Sequence, residues 1–377
     1  MQRQTLRYAH STLRSGGTVR AQARHIFSWM RYAVSKYLRI VLQDSTLAPP
    51  LSVYLYTGAD LIASSLRWKY WIPALLSATL LSACGGGGSD SSNATLNTST
   101  PAGQLTQEPG APVLSNNIAT DGFNWFNYRR SQIGLSSMVR NSLIDSAALG
   151  HSSYLNLNST VAHEQVQGKP GFTGVKLGDR LAKAGYVVTS LQGEVIAGAS
   201  NTSGFYLAEE LVTAIYHRFV IFEPLFKEGG AGAAVSGAGY AYFTTDLAGN
   251  RSYGPGLAAG QMVTYPFSGQ QKVAVSFSSD NESPDPVPNQ DVVGYPISVH
   301  ANYGTPVSVT AFSVRQRGAA TDLAVRLLTS GNDVHTPVSA ASIIPLATLN
   351  ANTSYDVSFI GKVNGADVTH SWSFTTR

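Results

Sequence analysis

The chain contains a single cysteine, Cys84, among its 377 residues. One cysteine allows no internal disulfide and no cysteine-based metal site, so each domain must be held together by its own hydrophobic core. The length allows two or three domains that bury such cores. The 36 glycines and the low charged fraction of 13% favour a secreted, loop-rich chain that contains β-structure over a helical cytosolic protein.

The cysteine stands at the end of an apolar run. Residues Trp71 to Ala83 are apolar or small, and Arg67 and Lys69 precede them. A basic flank, a short apolar core and small residues at its end are typical of a secretory signal peptide. The run is too short for a membrane-spanning helix, which needs about 20 residues. We therefore predict a signal peptide over residues 67–84.

The end of this run, Leu81-Ser82-Ala83-Cys84, resembles a bacterial lipobox. The resemblance implies lipid modification of the Cys84 sulfur and cleavage before it, so that acyl chains anchor the protein to a membrane. Residues 85–117 are rich in Gly, Ser and other polar residues and are predicted to be a flexible tether. Gly85, rather than Asp, follows the cysteine, which favours the outer membrane in a Gram-negative cell. The expected location is the cell envelope.

Residues 1–66 precede this signal and have two interpretations. The preferred interpretation is that the assigned start lies too far upstream, so that the segment is not translated. Alternatively, it is a basic cytoplasmic segment with an amphipathic helix around Phe27–Val41.

The charge is distributed unevenly along the chain. Ten of the 26 Lys and Arg residues, but only two of the 22 Asp and Glu residues, lie within residues 1–84. The formal net charge of +4 therefore conceals a remainder with 16 basic and 20 acidic residues. Such a remainder cannot neutralise many phosphates, so we expect no nucleic-acid binding.

A region of helices and strands begins near Asp121. Leu143, Ala147, His151 and Tyr154 recur at helical spacing, and Gly185 is a helix stop. Helices are predicted over Asp121–Ser131, Asn141–Leu157, Asp179–Ala184 and Leu207–Phe222, and strands over Tyr240–Thr244 and Gln261–Tyr265. Helices interleaved with strands indicate an α/β fold of three layers. The glycine-rich stretch 229–239 precedes no helix, which favours a turn and strand over a phosphate-binding loop.

Six short motifs in this region resemble, in order, those of the bacterial CAP superfamily (SCP/PR1-like domains). They are Phe126–Leu135, Asn141–Tyr154, Ala162–Glu164, Gly178–Tyr186, Gly193–Ile196 and Tyr216–Arg218. The resemblance covers about residues 118–265 and implies a CAP-type α-β-α sandwich with a cavity lined by two histidines and two glutamates.

Three positions carry over from that cavity: His163, Glu194 and His217. The second glutamate has no clear match, because Glu209 and Glu210 lie too near the start of the predicted helix. Two imidazoles and a carboxylate can bind zinc or another divalent metal and leave a fourth position open. The alternative is that the histidines form structural hydrogen bonds. His151 is expected to be a core histidine.

The last part of the chain changes to a period of two. Val307, Val309 and Ala311, and later Tyr355, Val357 and Phe359, are predicted to face one side of short strands. The segment Leu349–Val357 together with Trp372–Thr376 resembles the end of bacterial Ig-like domains. We predict a stiff linker over residues 266–290 and a small all-β Ig-like sandwich over 291–377. His300, His335 and His370 are expected to face solvent.

These features favour binding over catalysis. The first hypothesis is a membrane-anchored lipoprotein whose cavity takes a divalent metal or a small apolar or cell-envelope ligand. The second is a metal-assisted, peptidase-like hydrolase that uses His163, Glu194 and His217. The third is a non-catalytic surface adhesin. No catalytic residue is assigned.

Overall fold

The structure, a computed structural model, describes residues 108–377. Residues 1–66, the predicted signal peptide with Cys84 and the first part of the tether lie outside the described residues. Within residues 108–377, no helix has the length and apolar character needed to cross a membrane.

The first part of the described chain is an α/β region. Its elements are α1 (Ile118–Gln132), β1 (Val139–Arg140), α2 (Ser142–Asn158), α3 (Leu177–Lys183), β2 (Gln192–Ala199), α4 (Gly204–Thr213), α5 (Ile215–Ile221), β3 (Phe226–Val235) and β4 (Ala241–Gly249). The four strands form one sheet in the order β1-β3-β4-β2. The predicted mixture of helices and strands is confirmed, and the glycine-rich stretch is mainly strand β3.

Helices cover both faces of this sheet, because neighbouring residues of a strand point to opposite sides. Within β3, the α-carbon of Gly230 lies against the backbone of α2, whereas that of Gly229 lies against the ring of Phe123 on α1. Helix α4 packs against α1 and against β2. The three layers predicted from the sequence are therefore present.

The close approach of α2 to β3 depends on glycine. A β-carbon at Gly232 would lie 2.1 Å from the backbone nitrogen of Leu149, and one at Gly230 would lie 2.2 Å from that of Asp145. These distances are far below van der Waals contact, so β3 can pack against α2 only where it has no side chain. The glycines allow α2 to lie directly on the strand.

The predicted helix over Leu207–Phe222 is in fact two helices. Ala214 has extended backbone angles (φ −66°, ψ 120°) and separates α4 from α5. The break turns α5 into a new direction. This difference from the prediction matters for the site, because Glu210 and His217 then lie on separate helices.

The rest of the chain forms antiparallel sheets. Its strands are β5 (Val263–Tyr265), β6 (Ser276–Ser278), β7 (Val292–Gly294), β8 (Ile297–His300), β9 (Val307–Gln316), β10 (Val325–Thr329), β11 (Ala340–Pro345), β12 (Ser354–Val363) and β13 (Ala366–Thr375). The sheet orders are β10-β11-β8-β5, β13-β12-β9 and β6-β7. The predicted all-β character is present, and the relation to Ig-like domains stays a prediction.

Strand β9 departs from the predicted period of two. Its pairing with β12 shifts by one residue, from Ala311 opposite Ile360 to Val309 opposite Gly361. Such a bulge inserts an extra residue and moves the following side chains to the other face. Ala311 is therefore exposed, contrary to the prediction, and Phe312 and Val314 are buried instead.

The two parts of the chain share a core. Strand β5, predicted to belong to the CAP-like region, pairs with β8 of the second part. Arg218 of α5 lies between the rings of Tyr265 and Tyr295, 4.9 and 5.0 Å from their centroids. Its Nη1 donates to the Pro296 carbonyl at 2.7 Å.

The predicted linker and one predicted solvent-facing histidine also belong to this packing. Residues 266–290 include β6 and the buried Phe277 and Val287, so the segment is not an extended spacer. His300 is buried against Phe219 and Phe222, and burial lowers its pKa to about 3. The prediction that His300 faces solvent is wrong, because β8 is an inner strand of its sheet.

We predict that Gly232→Ala destabilises the protein by about 3 kcal/mol, because the added β-carbon forces α2 away from the sheet. Urea denaturation measures this loss. Gly237→Ala is the matched control, since nothing lies within 4 Å of that position. Equal unfolding midpoints for the two variants would show that α2 does not need this close contact.

Candidate functional site

A cavity of about 580 Å³ opens where the α/β layers meet the segment 274–283. We call it the histidine cavity, because His163 and His217 both line it. Its walls also include residues 196–199 of β2, Glu210 of α4 and Glu282. The volume is in the range of small-molecule sites in proteins. The resemblance to CAP domains predicted that the two histidines share a cavity, and the structure places them in one.

His163 is held by a buried carboxylate. Its Nδ1 lies 2.8 Å from Glu194 Oε1, and Arg180 pairs with Glu194 Oε2. The glutamate side chain is 4% exposed, whereas the imidazole is 47% exposed. Burial alone would raise the pKa of Glu194, but the hydrogen bond from His163 and the charge of Arg180 bring it to about 2. The ionised carboxylate therefore accepts a hydrogen bond from Nδ1–H of His163.

His151 supports this pair from the core, as predicted. Its Nε2 lies 2.9 Å from the Ala162 carbonyl, and its Nδ1 lies 2.9 Å from Gln165 Nε2. An amide nitrogen only donates, so Nδ1 accepts and Nε2–H donates. Burial lowers the pKa of His151 to about 4. His151 is thus a neutral core histidine that fixes the loop carrying His163.

A second carboxyl group lies beside Glu194. Asp246 on β4 is directly opposite Glu194 on β2 and is fully buried. Neither of its oxygens accepts a hydrogen bond from a donor among the described residues. Burial, and then the neighbouring Glu194 charge, raise the pKa of Asp246 well above its usual value. The protonated Asp246 can donate to Glu194, so the pair shares one proton and one charge.

His217 has an equivalent arrangement with a different partner. Its Nδ1 lies 3.0 Å from Glu282 Oε1. The Glu282 carboxylate is completely buried and also accepts the backbone N–H groups of Ile215, Tyr216 and His217 at the start of α5. The residue therefore caps this helix and orients its histidine at once. No sequence pattern pointed to Glu282, because it lies in the predicted linker.

Glu210 also lines the histidine cavity. Burial, and then the adjacent Glu209 charge, raise the pKa of Glu210 to about 7. Glu209 points elsewhere: its Oε2 accepts from Trp125 Nε1 at 2.7 Å and from Arg129 Nε at 2.8 Å. Sequence reasoning set Glu210 aside because it lies early in a predicted helix. It lies on α4, before the break at Ala214, whereas His217 reaches the same cavity from α5.

The structure thus brings together only part of the predicted metal set. His163 and Glu194 are in contact, and His217 shares their cavity but pairs with Glu282. Both oxygens of Glu194 are occupied, one by His163 and one by Arg180. Among residues 108–377, no three His, Cys, Asp or Glu side chains are grouped closely enough to hold a metal ion. The Nε2 atoms of His163 and His217 have no hydrogen-bond partner among these residues.

The Asp246 carboxyl predicts a specific pH dependence. In the unfolded chain Asp246 ionises near pH 4, but in the folded protein its raised pKa keeps the proton. Its contribution to stability is complete below about pH 4 and is lost as pH rises toward the folded pKa. We expect Asp246→Asn, which keeps a donor toward Glu194, to gain about 1.4 kcal/mol over wild type for each pH unit in that window.

Thermal unfolding of both proteins from pH 4 to pH 8 measures this difference. The substitution leaves His151 and His300 in place. Their titration therefore contributes equally to the stability of both proteins and cancels in the difference. A constant difference across the pH range would mean that Asp246 is ionised in the folded protein.

Comparison with known proteins gives matches only among solved structures. No family model and no curated protein matches the sequence. The chain is similar to an extracellular protein containing an SCP domain from Bacillus anthracis strain Ames, at 23% identity and a TM-score of 0.31. That match covers 37% of this chain and 45%, less than half, of the Bacillus protein.

Two further solved structures are similar over about a third of the chain. An outer surface protein from Borrelia burgdorferi is 13% identical with a TM-score of 0.29, over 34% of this chain and 89% of that protein. A venom allergen-like protein from Schistosoma mansoni is 12% identical with a TM-score of 0.26, over 37% of this chain and 91% of that protein.

Proposed function

We propose that this protein is an exported lipoprotein of CAP type whose histidine cavity binds a divalent metal ion through His163 and His217. The lipid on Cys84 anchors it in the cell envelope, at the outer membrane if the cell is Gram-negative. The resemblance of six ordered motifs to CAP domains supports the family, and the lipobox-like residues 81–84 support the anchor.

One observation carries the metal proposal. Each histidine donates Nδ1–H to a buried carboxylate, Glu194 for His163 and Glu282 for His217. Metal-binding histidines commonly donate their second ring N–H to a carboxylate, which fixes the tautomer and makes the other nitrogen a better ligand. The Nε2 atoms of both rings have no partner in the described part of the chain, and both rings line one cavity.

The cavity offers the types of ligand that zinc accepts, although among residues 108–377 they do not converge on one ion position in this structure. Zinc accepts imidazole nitrogen and carboxylate oxygen as ligands. His163 and His217 would supply the imidazoles and Glu210 a carboxylate, once their side chains move together around the ion. Glu194 is expected to orient His163 rather than to ligate. When bound, the metal would polarise an oxygen of whatever small ligand shares the cavity.

The remainder of the cavity suits a partly apolar ligand. Apolar side chains from several elements line it, among them Ile196, Leu211 and Phe277. Such walls favour a small apolar or cell-envelope ligand held beside the histidines. Binding of this kind requires no turnover.

Isothermal calorimetry of the full-length protein with zinc tests the proposal. We expect binding of one ion, weakened at least 100-fold by His163→Ala and by His217→Ala, since each removes one nitrogen ligand. Glu194→Gln is expected to weaken binding about 10- to 100-fold, because it alters only the group that orients His163.

His370→Ala is the matched control, because His370 is exposed on β13 and far along the chain from the cavity. Zinc binding that survives both cavity substitutions, or that is absent at millimolar zinc, would contradict the metal proposal.

The anchor is tested separately by metabolic labelling with a fatty acid in a bacterial host. We expect the label to be incorporated into the wild-type protein and lost in Cys84→Ser. Labelling that persists in Cys84→Ser would place the lipid elsewhere and contradict the lipobox assignment.

A further inference from the structure

Strand β2 is an edge strand that forms part of the histidine cavity. It pairs with β4 along its full length, and no strand lies on its other side within the described sheet. Residues Ile196, Ala197, Gly198 and Ala199 line the cavity. Their outward backbone groups make no hydrogen bond with any residue of the chain from 108 onward. The cavity therefore contains a row of backbone donors and acceptors that have no partner within residues 108–377.

The pairing pattern fixes how many groups are available. In an antiparallel pair, alternate residues direct both N–H and C=O toward the partner strand, and the others direct both away from it. Two of the four residues 196–199 thus present both groups to the cavity. Proteins usually protect an exposed edge with a lysine, a proline or a bulge. This edge has none of these, and its small side chains allow another backbone to approach.

The two walls of the cavity stand on opposite sides of this edge. Gly198 points toward Val161, two residues before His163: a β-carbon there would lie 2.8 Å from Val161 Cγ2. Ala197 points the other way, into the core that contains α4. A strand added to the edge would therefore direct successive side chains alternately toward the His163 wall and toward the wall formed by Glu210 and His217.

The position of the β2 edge inside the cavity determines which kind of partner can pair with it. Because the edge lines the histidine cavity, the edge of a second folded sheet would have to enter that cavity to pair with it. A single extended chain is slim enough, and four residues of it would span about 13 Å. An unpaired strand edge is satisfied by a partner that carries backbone N–H and C=O groups at the spacing of a strand.

We propose that the histidine cavity binds an extended polypeptide segment by adding it as a strand to β2. The segment pairs with residues 196–199 and carries small or apolar side chains, to suit the alanines and apolar walls. This inference rests on the proposed function in using the same cavity, but it does not require the metal. It names the ligand class that the metal proposal leaves open.

Hydrogen–deuterium exchange at residues 196–199 of the full-length protein tests this pairing. The probe is a pool of octapeptides randomised at every position, added to protein that has been treated with a chelator. We expect exchange of the two outward amides to slow at least 10-fold, because each gains a carbonyl acceptor. Amides paired with β4 serve as internal controls and should not change.

Two methylated pools provide matched controls that do not depend on the register. A pool N-methylated at alternate residues keeps one edge able to form hydrogen bonds and should still slow exchange. A fully N-methylated pool has no N–H group and should have no effect. Slowing by all three pools, or by none, would overturn the proposal.

Two further results separate this inference from the metal proposal. If zinc binds but the peptide pools have no effect, the metal proposal stands and the peptide inference is wrong. If peptides slow exchange in a protein that does not bind zinc, the peptide inference stands and the metal proposal is wrong. Protection that rises with protein concentration alone would mean that a second copy covers the edge, which would overturn the inference.

Discussion

The histidine cavity depends on two carboxylates that have been removed from water. An ionised carboxylate is costly to bury unless donors surround it. Glu194 is compensated by Arg180 and His163, and Glu282 by the backbone N–H groups of α5 and by His217. Each histidine is therefore part of the compensation for a buried charge. This fixes its ring orientation more firmly than a solvent-facing contact could.

Buried charges and their hydrogen-bond partners also connect the two parts of the chain. Glu282 lies in the segment between them, and its carboxylate caps α5 of the α/β region. Arg218, one residue after His217, donates to the Val212 and Pro296 carbonyls and lies between two tyrosine rings. A buried guanidinium needs such acceptors. The second part of the chain thus supports one wall of the cavity.

The sequence predicts local features of this structure better than the features that arise from packing. Helix α2 follows from the helical spacing of Leu143, Ala147, His151 and Tyr154, of which all but the exposed Leu143 lie on its buried face. No sequence signal marks the break at Ala214, because alanine favours helix and only the tertiary contacts of α5 oppose it. The bulge in β9 was missed for a similar reason, since it moves the pattern from Ala311 to Phe312 without a proline or glycine in that strand.

For the site, the sequence predicted His163 and His217 but not the roles of the acids. Glu194 was expected to be a ligand, and its contact with Arg180 depends on how α3 packs against β2. Glu282 lies 65 residues after His217, a separation that no local pattern can reveal. Glu210 lines the cavity because α4 packs against β2, a tertiary contact that the helical pattern does not encode.

The ring tautomers of the histidines test the central claim most directly. Nitrogen NMR of ¹⁵N-histidine-labelled protein at pH 8, assigned with His163→Ala and His217→Ala, reports which nitrogen carries the proton. The account predicts Nδ1–H for His163 and His217, and the opposite tautomer, Nε2–H, for His151. An Nε2–H tautomer at His163 or His217 would contradict it, because that nitrogen would then be unavailable to bind a metal.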